Sequence, residues 1–596
     1  MSGLDLGLIG NCCIAALIDE RARILWCCLP RLDGDPVFNG LLNQDRQGEP
    51  AADGLYAIDF DGLRRSTQSY VENTAVLRTV LEGGNDAALE IVDFAPRFRH
   101  YDRTFRPATL VRMLRPLKGA PRIRVRLRPT FEYGAVPPML TRGSNHMRMV
   151  GPQFALRLTT NAPISFIADE TWFLVEEPLT LILGPDESLA EPVADAGRSF
   201  LEKTVAYWRD WTRSLNIPFE WQDEVIRAAI TLKLSTFEET GAIVAAITTS
   251  IPEHADSQRN WDYRFCWLRD AYFVVHALNR LSATRTLEHY LRFIKNIAVA
   301  EQGRLQPLYS LTLGSHPHEM SMPALRGYRG MGPVRVGNDA YRQVQNDVFG
   351  SVVLAVAQCF FDRRLHMEGQ EQLYQRLKPL GEAALASYAT PDAGIWELRT
   401  REAVHSFSAL MCWGAVDRLA RIARRLGKPA EERQWQEAAG TIREAILTHA
   451  WNDRLQTFTA TFHGDEIDAS LLLMHELGFL APDDPRFVAT VAAVERTLKR
   501  GHHLYRYVAP DDFGQPKTAF TVCTFWFIEA LAAMGRHEEA RAMFEEGLAR
   551  RNPLGLLSED IDPATGELWG NLPQTYSMVG LIKCAMRLSQ AWEDAF

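Results

Sequence analysis

Hydrophobic and polar residues alternate with two different periods along this chain of 596 residues. Up to about residue 190 the runs are short, and turn-forming residues such as Gly83 and Asn161 separate them. Segments 55–60, 89–94 and 121–128 alternate with a period of two, the pattern of strands with one buried face. Many such strands predict antiparallel sheets that stack as a β-sandwich over residues 1–190.

Beyond a polar, turn-rich stretch and a segment with Trp208 and Trp211, the apolar positions recur at helical spacing. Residues 191–220 are therefore predicted to be a helical linker. Two kinds of helical segment then alternate. Those with one charged face lie near 221–239, 285–299, 368–389, 430–450, 485–499 and 537–550. Those that are apolar on most sides lie near 264–281, 343–364, 404–427, 466–478, 517–535 and 573–592.

Helices that are apolar on most sides must lie inside a layer of other helices. Six alternations of an outer and an inner helix predict a two-layer ring, an (α/α)6 barrel, over residues 221–596. The predicted fold class is thus a multidomain protein with an N-terminal antiparallel β-sandwich followed by an all-α (α/α)6 barrel.

Aromatic residues, arginines and carboxylates concentrate in the predicted connections from outer to inner helices. In such a ring these connections emerge at the same end, and loops on a rigid scaffold are where sites are built. We therefore expect one site at this end of the barrel. The clusters occupy residues 260–270, 304–346, 394–399, 504–512 and 557–571.

These residue types, without a nucleophile or phosphate motif, indicate carbohydrate chemistry, since aromatic faces stack on pyranose rings and charged groups bind hydroxyls. Glycoside hydrolysis needs one carboxylic acid and one carboxylate. Glu397 is the candidate acid, because its apolar neighbour Trp396 should raise its pKa. Glu559, in an acidic loop expected to stay solvated and ionised, is the candidate base. Alternatively, Glu397 pairs with Arg399 or Arg401 at the surface, and Glu559 belongs to a solvated turn.

The composition limits the kinds of binding partner and the location that we expect for the protein. A net charge of -9 and a pI near 6.0 argue against nucleic acid and anionic membrane surfaces. No apolar run approaches the ~20 residues that span a bilayer, and the first residues do not read as a signal peptide. Nine cysteines without a disulfide-like spacing suit a reducing compartment, so we expect a cytoplasmic protein. The roles of Cys12-Cys13 and Cys27-Cys28, and the oligomeric state, stay open.

Neither a cofactor nor a metal is predicted. The segment Asp560-Ile-Asp562 has faint calcium-loop character but lacks the full ligand spacing. The segment His316-Pro-His318-Glu319 could be read as zinc ligands, but a mobile loop is favoured. Residues 327–332 do not match a phosphate-binding loop.

Several of these segments resemble family 15 of the glycoside hydrolases, which includes glucoamylases, glucodextranases and some bacterial and archaeal trehalases. The segment Asn260-Trp-Asp-Tyr-Arg-Phe-Cys-Trp-Leu-Arg-Asp270 is similar to the substrate-binding block of that family. Gly394-Ile-Trp-Glu397 resembles the block with the general acid, and Leu557-Ser-Glu559 the block with the general base. Tyr505-Arg506-Tyr507 resembles a further sugar-contacting segment. The resemblance extends over nearly the whole chain.

The resemblance implies an inverting, exo-acting α-glucosidase that releases β-glucose, with Glu397 and Glu559 about 6.5–9.5 Å apart. The implied hydroxyl ligands and pocket walls are Arg269, Asp270, Arg506, Trp261, Trp267 and Trp396. We expect an α-glucoside oligosaccharide or disaccharide as substrate. A glucoamylase-like activity is the main prediction and α,α-trehalase the alternative, because a pocket for one glucose serves both substrates. Leu398 stands where several fungal glucoamylases have a second acid that contacts the next sugar, so the subsite specificity stays open. A sugar phosphorylase and an inactive sugar-binding protein are two further candidate functions, and the linkage preference stays open.

Overall fold

The computed structural model describes residues 3–84, 86–300, 305–314, 317–365 and 369–595. Its N-terminal part is built from two large antiparallel sheets. One has the order β1-β2-β3-β5-β12-β16, with β4 paired to β3, and the other has the order β13-β14-β15-β17-β11-β8-β7-β6. The strands are β1 Leu6–Gly10, β2 Ala15–Asp19, β3 Ile24–Leu29, β4 Asp35–Phe38, β5 Leu55–Phe60, β6 Leu63–Tyr70, β7 Leu77–Gly83, β8 Ala88–Phe94, β9 Phe98–His100, β10 Arg103–Phe105, β11 Leu110–Lys118, β12 Arg122–Arg128, β13 Met139–Arg142, β14 His146–Val150, β15 Ala155–Thr160, β16 Phe173–Leu174 and β17 Leu179–Pro185.

The alternation of β12 shows why the predicted period of two forms a sandwich. Ile123, Val125 and Leu127 face the apolar core that the two sheets share. The arginines between them face outward, and the Arg124 and Arg126 side chains both pair with Asp59 of β5. The predicted β-sandwich is confirmed, and each strand of this kind contributes one apolar face to it.

Most helices lie in the second part of the chain, and one short helix lies between β15 and β16. The helices are α1 Ile164–Ala168, α2 Val193–Arg213, α3 Gln222–Leu234, α4 Leu268–Arg280, α5 Thr284–Ala300, α6 Asp347–Phe361, α7 Gln370–Ser387, α8 Ser406–Arg425, α9 Pro429–His449, α10 Leu473–Glu476, α11 Pro485–Leu498, α12 Thr521–Ala533, α13 His537–Ala549 and α14 Thr575–Leu588. The 3-10 turns are Gly40–Leu42, Asp339–Arg342, Ala469–Leu472 and Trp592–Ala595.

The inner helices close into a ring. Helix α4 contacts α6 and α14, α6 contacts α8, and α12 contacts α14. The 3-10 turn Ala469–Leu472 lies between α8 and α12 and contacts both. Outer helices cover this ring, as α9 covers α8 and α13 covers α12. The predicted (α/α)6 barrel is confirmed, and α12, whose residues are almost all buried, shows why apolar helices lie inside it.

One inner element differs from the prediction. A full helix was expected near residues 466–478, but the structure has the 3-10 turn followed by the four-residue helix α10. Asp468 caps the turn, since its Oδ1 accepts a hydrogen bond from the Ser470 backbone N–H at 2.7 Å. Gly478 ends α10 with a φ of +78°, a conformation that favours glycine. Because the cap at Asp468 and the terminating Gly478 are only ten positions apart, a long helix cannot form between them.

Short strands in the connections are a further difference, because strand signals nearly vanish from the sequence after residue 221. Pairs of residues form small ladders beside the barrel, and each ladder fixes a connection that the sequence pattern leaves undefined. They are β18 Thr236–Phe237, β19 Ala242–Ile243, β20 Cys266–Trp267, β21 Leu308–Tyr309, β22 Met320–Ser321, β23 Arg335–Val336, β24 Trp451–Asn452, β25 Thr457–Phe458, β26 Lys499–Arg500, β27 His503–Leu504, β28 Ala519–Phe520, β29 Asp560–Ile561 and β30 Leu568–Trp569.

Buried polar contacts join the sandwich to the barrel. The indole N–H of Trp26 donates to the Ile247 carbonyl at 2.9 Å. Arg264, fully buried, pairs with Asp262 and donates to the Gly34 carbonyl at 2.9 Å. Cys28 lies at the same contact, 3.4 Å from the Arg264 guanidinium. The sandwich therefore supports residues 260–270, the connection that leads into α4.

The cysteines are all free thiols, and burial raises the pKa of Cys28 to about 12. Cys12 packs against the barrel in a similar way, with its Sγ 3.2 Å from the Lys233 carbonyl oxygen. One member of each adjacent pair thus packs at the contact between sandwich and barrel. Within the described residues, no helix has both the length and the apolar character needed to cross a membrane.

Candidate active site

A cleft of about 890 Å³, including its open mouth, lies among the connections from outer to inner helices. Every residue that the sequence analysis selected for the site lines this cleft. These residues are Trp261, Trp267, Arg269, Asp270, Trp396, Glu397, Arg506 and Glu559. Clusters from distant parts of the chain therefore meet around one hollow, while the chemical roles of the residues stay predictions.

The turn that carries Glu397 has an unusual backbone conformation. Glu397 has a φ of +59°, in the left-handed region that non-glycine residues seldom adopt. Such a residue costs on the order of 1–3 kcal/mol and persists only where its surroundings fix it. Gly394 at the start of the turn also has a positive φ, and the ring of His405 fills the space that a side chain there would need.

Two donors hold the Glu397 carboxylate. Its Oε1 accepts a hydrogen bond from Trp267 Nε1 at 2.6 Å and another from Arg269 Nη2 at 3.2 Å. The alternative pairing with surface arginines is not seen. Arg399 instead pairs with Glu319 at 2.6 Å, and Arg401 donates to the Pro510 carbonyl at 2.6 Å. Glu397 therefore points into the cleft rather than toward the surface.

Arg269 connects three elements of the barrel. Its Nη1 donates to Gln345 Oε1 at 2.9 Å and lies 3.4 Å from Asp347 Oδ2, at the start of α6. In the part of the chain that the structure describes, Arg269 Nε and Asp270 Oδ2 have no hydrogen-bond partner, and they form an ion pair with each other at the longer distance of 3.7 Å. Burial raises the pKa of Asp270 to about 7. Buried polar atoms left this way cost stability, so their position in the cleft suits the binding of sugar hydroxyls.

Glu559 lies in surroundings that differ from the prediction. The acidic neighbours of Glu559 predict a solvated, ionised loop, yet the Glu559 side chain is buried. Residues 560–569 fold back as the β29–β30 hairpin, and β29 pairs with β28 next to α12. Burial first, and then the charge of Glu253, raise the pKa of Glu559, although a hydrogen bond with Tyr263 opposes them. A glutamate with a raised pKa is a stronger base once it is ionised.

A third carboxylate, Glu253, was missed by the sequence analysis. Carboxylate oxygens of Glu253, Glu559 and Asp560 all lie within 4.8 Å of one another. The Arg506 guanidinium binds both oxygens of Glu253, at 3.1 and 2.7 Å, and so adds a positive charge to the cluster. Three carboxylates at this spacing could hold a cation, and one of them, Asp560, belongs to the segment whose ligand spacing is too incomplete to predict a calcium site. Glu253 carries no local sequence signal, since it lies in the plain segment Ser250-Ile-Pro-Glu253.

Aromatic side chains form much of the wall. Trp396 packs against Tyr507, Phe520 and Trp526, with ring centroids 5.5 to 6.3 Å apart. Its indole N–H donates to Asp468 Oδ2 at 2.6 Å, which fixes the ring plane.

Trp261 is covered differently. The guanidinium carbons of Arg335 and Arg399 lie 4.5 and 4.0 Å from its ring centroid. Trp261 lines the cleft, but arginines already occupy ring surface that a sugar would need for stacking.

The mouth of the cleft is held by contacts between loops. The Arg399 backbone N–H donates to Asp512 at 2.6 Å, and Glu319 pairs with the Arg399 side chain. Glu319 belongs to the segment that could be read as zinc ligands. His316 lies outside the described residues, and His318 contacts the Tyr341 hydroxyl at 2.8 Å. The described part of that segment therefore packs at the rim.

Comparisons with known proteins identify the family and the fold. The family model described as Glycosyl hydrolases family 15 matches residues 221–586, and the one described as Trehalase-like, N-terminal matches residues 5–170. A trehalase of Thermoplasma volcanium is 30% identical, over 98% of this chain and 93% of its own length. A trehalase of Mycobacterium tuberculosis is also 30% identical, over 99% of this chain and 90% of its own. A bacterial glucoamylase complexed with acarbose has a similar fold, with a TM-score of 0.69 and 13% sequence identity. The match covers 98% of this chain and 94% of the glucoamylase chain.

Proposed function

The chain belongs to the glycosyl hydrolases of family 15, and on this premise we propose that it is an α,α-trehalase. Hydrolysis of glycosidic bonds follows from the family itself. The narrower choice of trehalose rests on relatives named trehalase that match over nearly the full length of both chains. The trehalase-like match of residues 5–170 supports the same choice. The glucoamylase-like activity that the sequence analysis preferred becomes the second candidate.

The observation that carries the catalytic part is that Glu397 and Glu559 line one cleft and differ in their surroundings. Glu397 receives hydrogen bonds from Trp267 and Arg269 on the same oxygen, Oε1. Its other oxygen, Oε2, would carry the proton that passes to the glycosidic oxygen as the bond breaks. The leaving glucose then departs as a neutral alcohol.

Glu559 would act as the base. Its Oε1 is buried and has no hydrogen-bond partner among the described residues, so it can accept a hydrogen bond from a water molecule. This water would attack the anomeric carbon from the face opposite the leaving group and transfer its proton to Glu559. The attacked sugar would leave as β-glucose, and the other sugar would keep its α configuration.

Three groups would hold the attacked glucose. Buried nitrogen and oxygen atoms of Arg269, Asp270 and Arg506 lack a protein hydrogen-bond partner in the described structure and belong to residues that line the cleft. Hydroxyl groups of a pyranose ring could satisfy them with charge-assisted hydrogen bonds. Trp396 would pack against an apolar sugar face, held in place by Asp468.

A panel of disaccharides tests the proposed substrate. Initial rates with the purified protein would be compared on trehalose, maltose and isomaltose at equal concentrations. We expect trehalose to give the highest kcat/KM, with glucose released in the absence of phosphate. Faster hydrolysis of maltose would favour the glucoamylase-like activity, and a strict need for phosphate as co-substrate would favour a phosphorylase.

A further inference from the structure

We propose that Glu253 is a positioning residue of the active site, which holds the Arg506 guanidinium and sets the charge around Glu559. The proposal rests on the proposed role of Glu559 as the base. Glu253 lines the cleft, but both of its carboxylate oxygens are already bonded to Arg506. It would act through Arg506 and through its charge.

Glu253 is held firmly in its place. Its side chain is only 4% exposed, and both of its oxygens accept hydrogen bonds from Arg506, at 3.1 and 2.7 Å. Its backbone N–H donates to the Arg259 carbonyl at 3.1 Å, and Arg259 in turn pairs with Asp511 at 2.6 Å. A bidentate pair between a carboxylate and a guanidinium fixes distance and orientation together. Arg506 is thereby aimed into the cleft that it lines.

The charges around Glu559 come from several elements. Those with a titratable or charged side chain near the cluster are Glu253, Arg259 and Tyr263 before α4, Arg506, Tyr507 and Asp511 before β28, Asp560 in β29, and Glu397 across the cleft. The two guanidinium groups cannot neutralise all of these carboxylates. At least one carboxyl group of the cluster therefore keeps a proton near neutral pH.

The hydrogen bonds of the three carboxyl groups differ. Glu253 is paired with Arg506 through both oxygens. Asp560 receives a hydrogen bond from Thr518 at 3.0 Å, and its Oδ2 lacks a partner within the described chain. Burial and the charges of Glu253 and Glu559 raise the pKa of Asp560 well above its usual range. The charge of Glu253 therefore raises the pKa of Glu559, the proposed base, as well as that of Asp560.

The replacement Glu253→Gln keeps the shape and removes the charge. It takes one negative charge from the vicinity of Glu559 and leaves Arg506 free to interact with Glu559 more strongly. Both changes lower the pKa of Glu559. Since the acidic limb of kcat/KM against pH reports the base of the free enzyme, this limb should move to lower pH by about one unit or more.

The experiment compares pH profiles of kcat/KM on trehalose for wild type, E253Q and E253D. E253D keeps the negative charge, so the acidic limb of its pH profile should stay near that of wild type. Its kcat/KM should still fall, because the shorter side chain holds Arg506 less well. The matched control is E220Q, because Glu220 also binds both terminal nitrogens of one arginine, Arg541, but does not line the cleft. E220Q should leave both the rate and the limb unchanged.

An unshifted acidic limb in folded E253Q would overturn the proposal, whatever the loss of rate. If E253Q does not fold, E253S makes the same prediction, because it also removes the charge. The variant E559Q separates the two proposals. If E559Q stays active, Glu559 is not the base. If E559Q is inactive and the acidic limb of the E253Q profile is unshifted, only the proposed role of Glu253 is refuted.

Discussion

The indole N–H of Trp267 donates a hydrogen bond to Glu397 Oε1 at 2.6 Å. These residues lie in different connections of the barrel, and the bond joins the segment before α4 to the turn before α8. Trp267 belongs to the short strand β20, whose pairing with β21 holds the backbone that carries the indole. The same connection continues into Arg269, the second donor to Glu397. One short segment therefore orients the carboxyl group that we propose as the acid.

Replacing Trp267 with phenylalanine tests this orientation. W267F removes the donor and keeps an aromatic side chain, so we expect kcat on trehalose to fall by about 10- to 100-fold with a smaller change in KM. The matched control is W451F, since the half-buried Trp451 in β24 donates to the Asp453 carboxylate at 2.9 Å near the surface. W451F should keep kcat within about twofold of wild type. A W267F variant with the kcat of wild type would show that the bond does not position the acid.

The acid itself is tested with E397Q. Glutamine fills the same space but cannot deliver a proton, so kcat on trehalose should fall by about 10²–10⁴-fold, the usual contribution of a general acid. Glu402 lies five positions along the chain and is exposed, so E402Q serves as the control and should keep full activity. The assignment fails if E397Q, checked for folding by circular dichroism, releases glucose as fast as E402Q.

Asp270 makes the stability of the protein depend on pH. Burial raises its pKa from 3.8 to about 7 in the folded state. The unfolded chain therefore releases this proton at lower pH than the folded one does. The stabilisation is fully present below the unfolded pKa and is lost as pH rises toward 7, by about 1.4 kcal/mol for each unit of pKa difference.

D270N removes this titration. Urea unfolding at pH 5 and pH 8 should show a smaller loss of unfolding free energy for D270N than for wild type. The control is D223N, at an exposed position in the first turn of α3, which should keep the pH dependence of wild type. Equal slopes in wild type and D270N would mean that Asp270 is ionised in the folded protein at both pH values.

The barrel could be predicted because its signal is local. A segment such as α12, apolar on all sides, must be covered whatever the rest of the chain does, and its bounds differ from the prediction by few residues. The fourth inner helix could not be predicted in the same way. One carboxylate oxygen of Asp468 caps the 3-10 turn, and the other accepts a hydrogen bond from Trp396, a residue distant in sequence. That second contact exists only in the folded protein.

The candidate site was predicted in its residues but not in its electrostatics. The sequence analysis placed Glu559 in a solvated loop because its neighbours are acidic. In the structure the nearest of them, Asp560, is buried with it, since the β29–β30 hairpin packs against β28. The role of Glu253 could not be predicted for the same reason. It depends on a hydrogen bond with Arg506, which lies 253 positions away along the chain. Charges that are distant in sequence set the pKa values of this site.

The most direct measurement is a proton NMR time course of trehalose hydrolysis that records the first glucose anomers before they interconvert. We expect β-glucose and α-glucose in equal amounts, because the attacked sugar inverts and the leaving sugar does not. Initial formation of α-glucose alone would show retention and would contradict the roles of Glu397 and Glu559. Absence of any glucose from trehalose, with rapid hydrolysis of maltose, would contradict the proposed substrate.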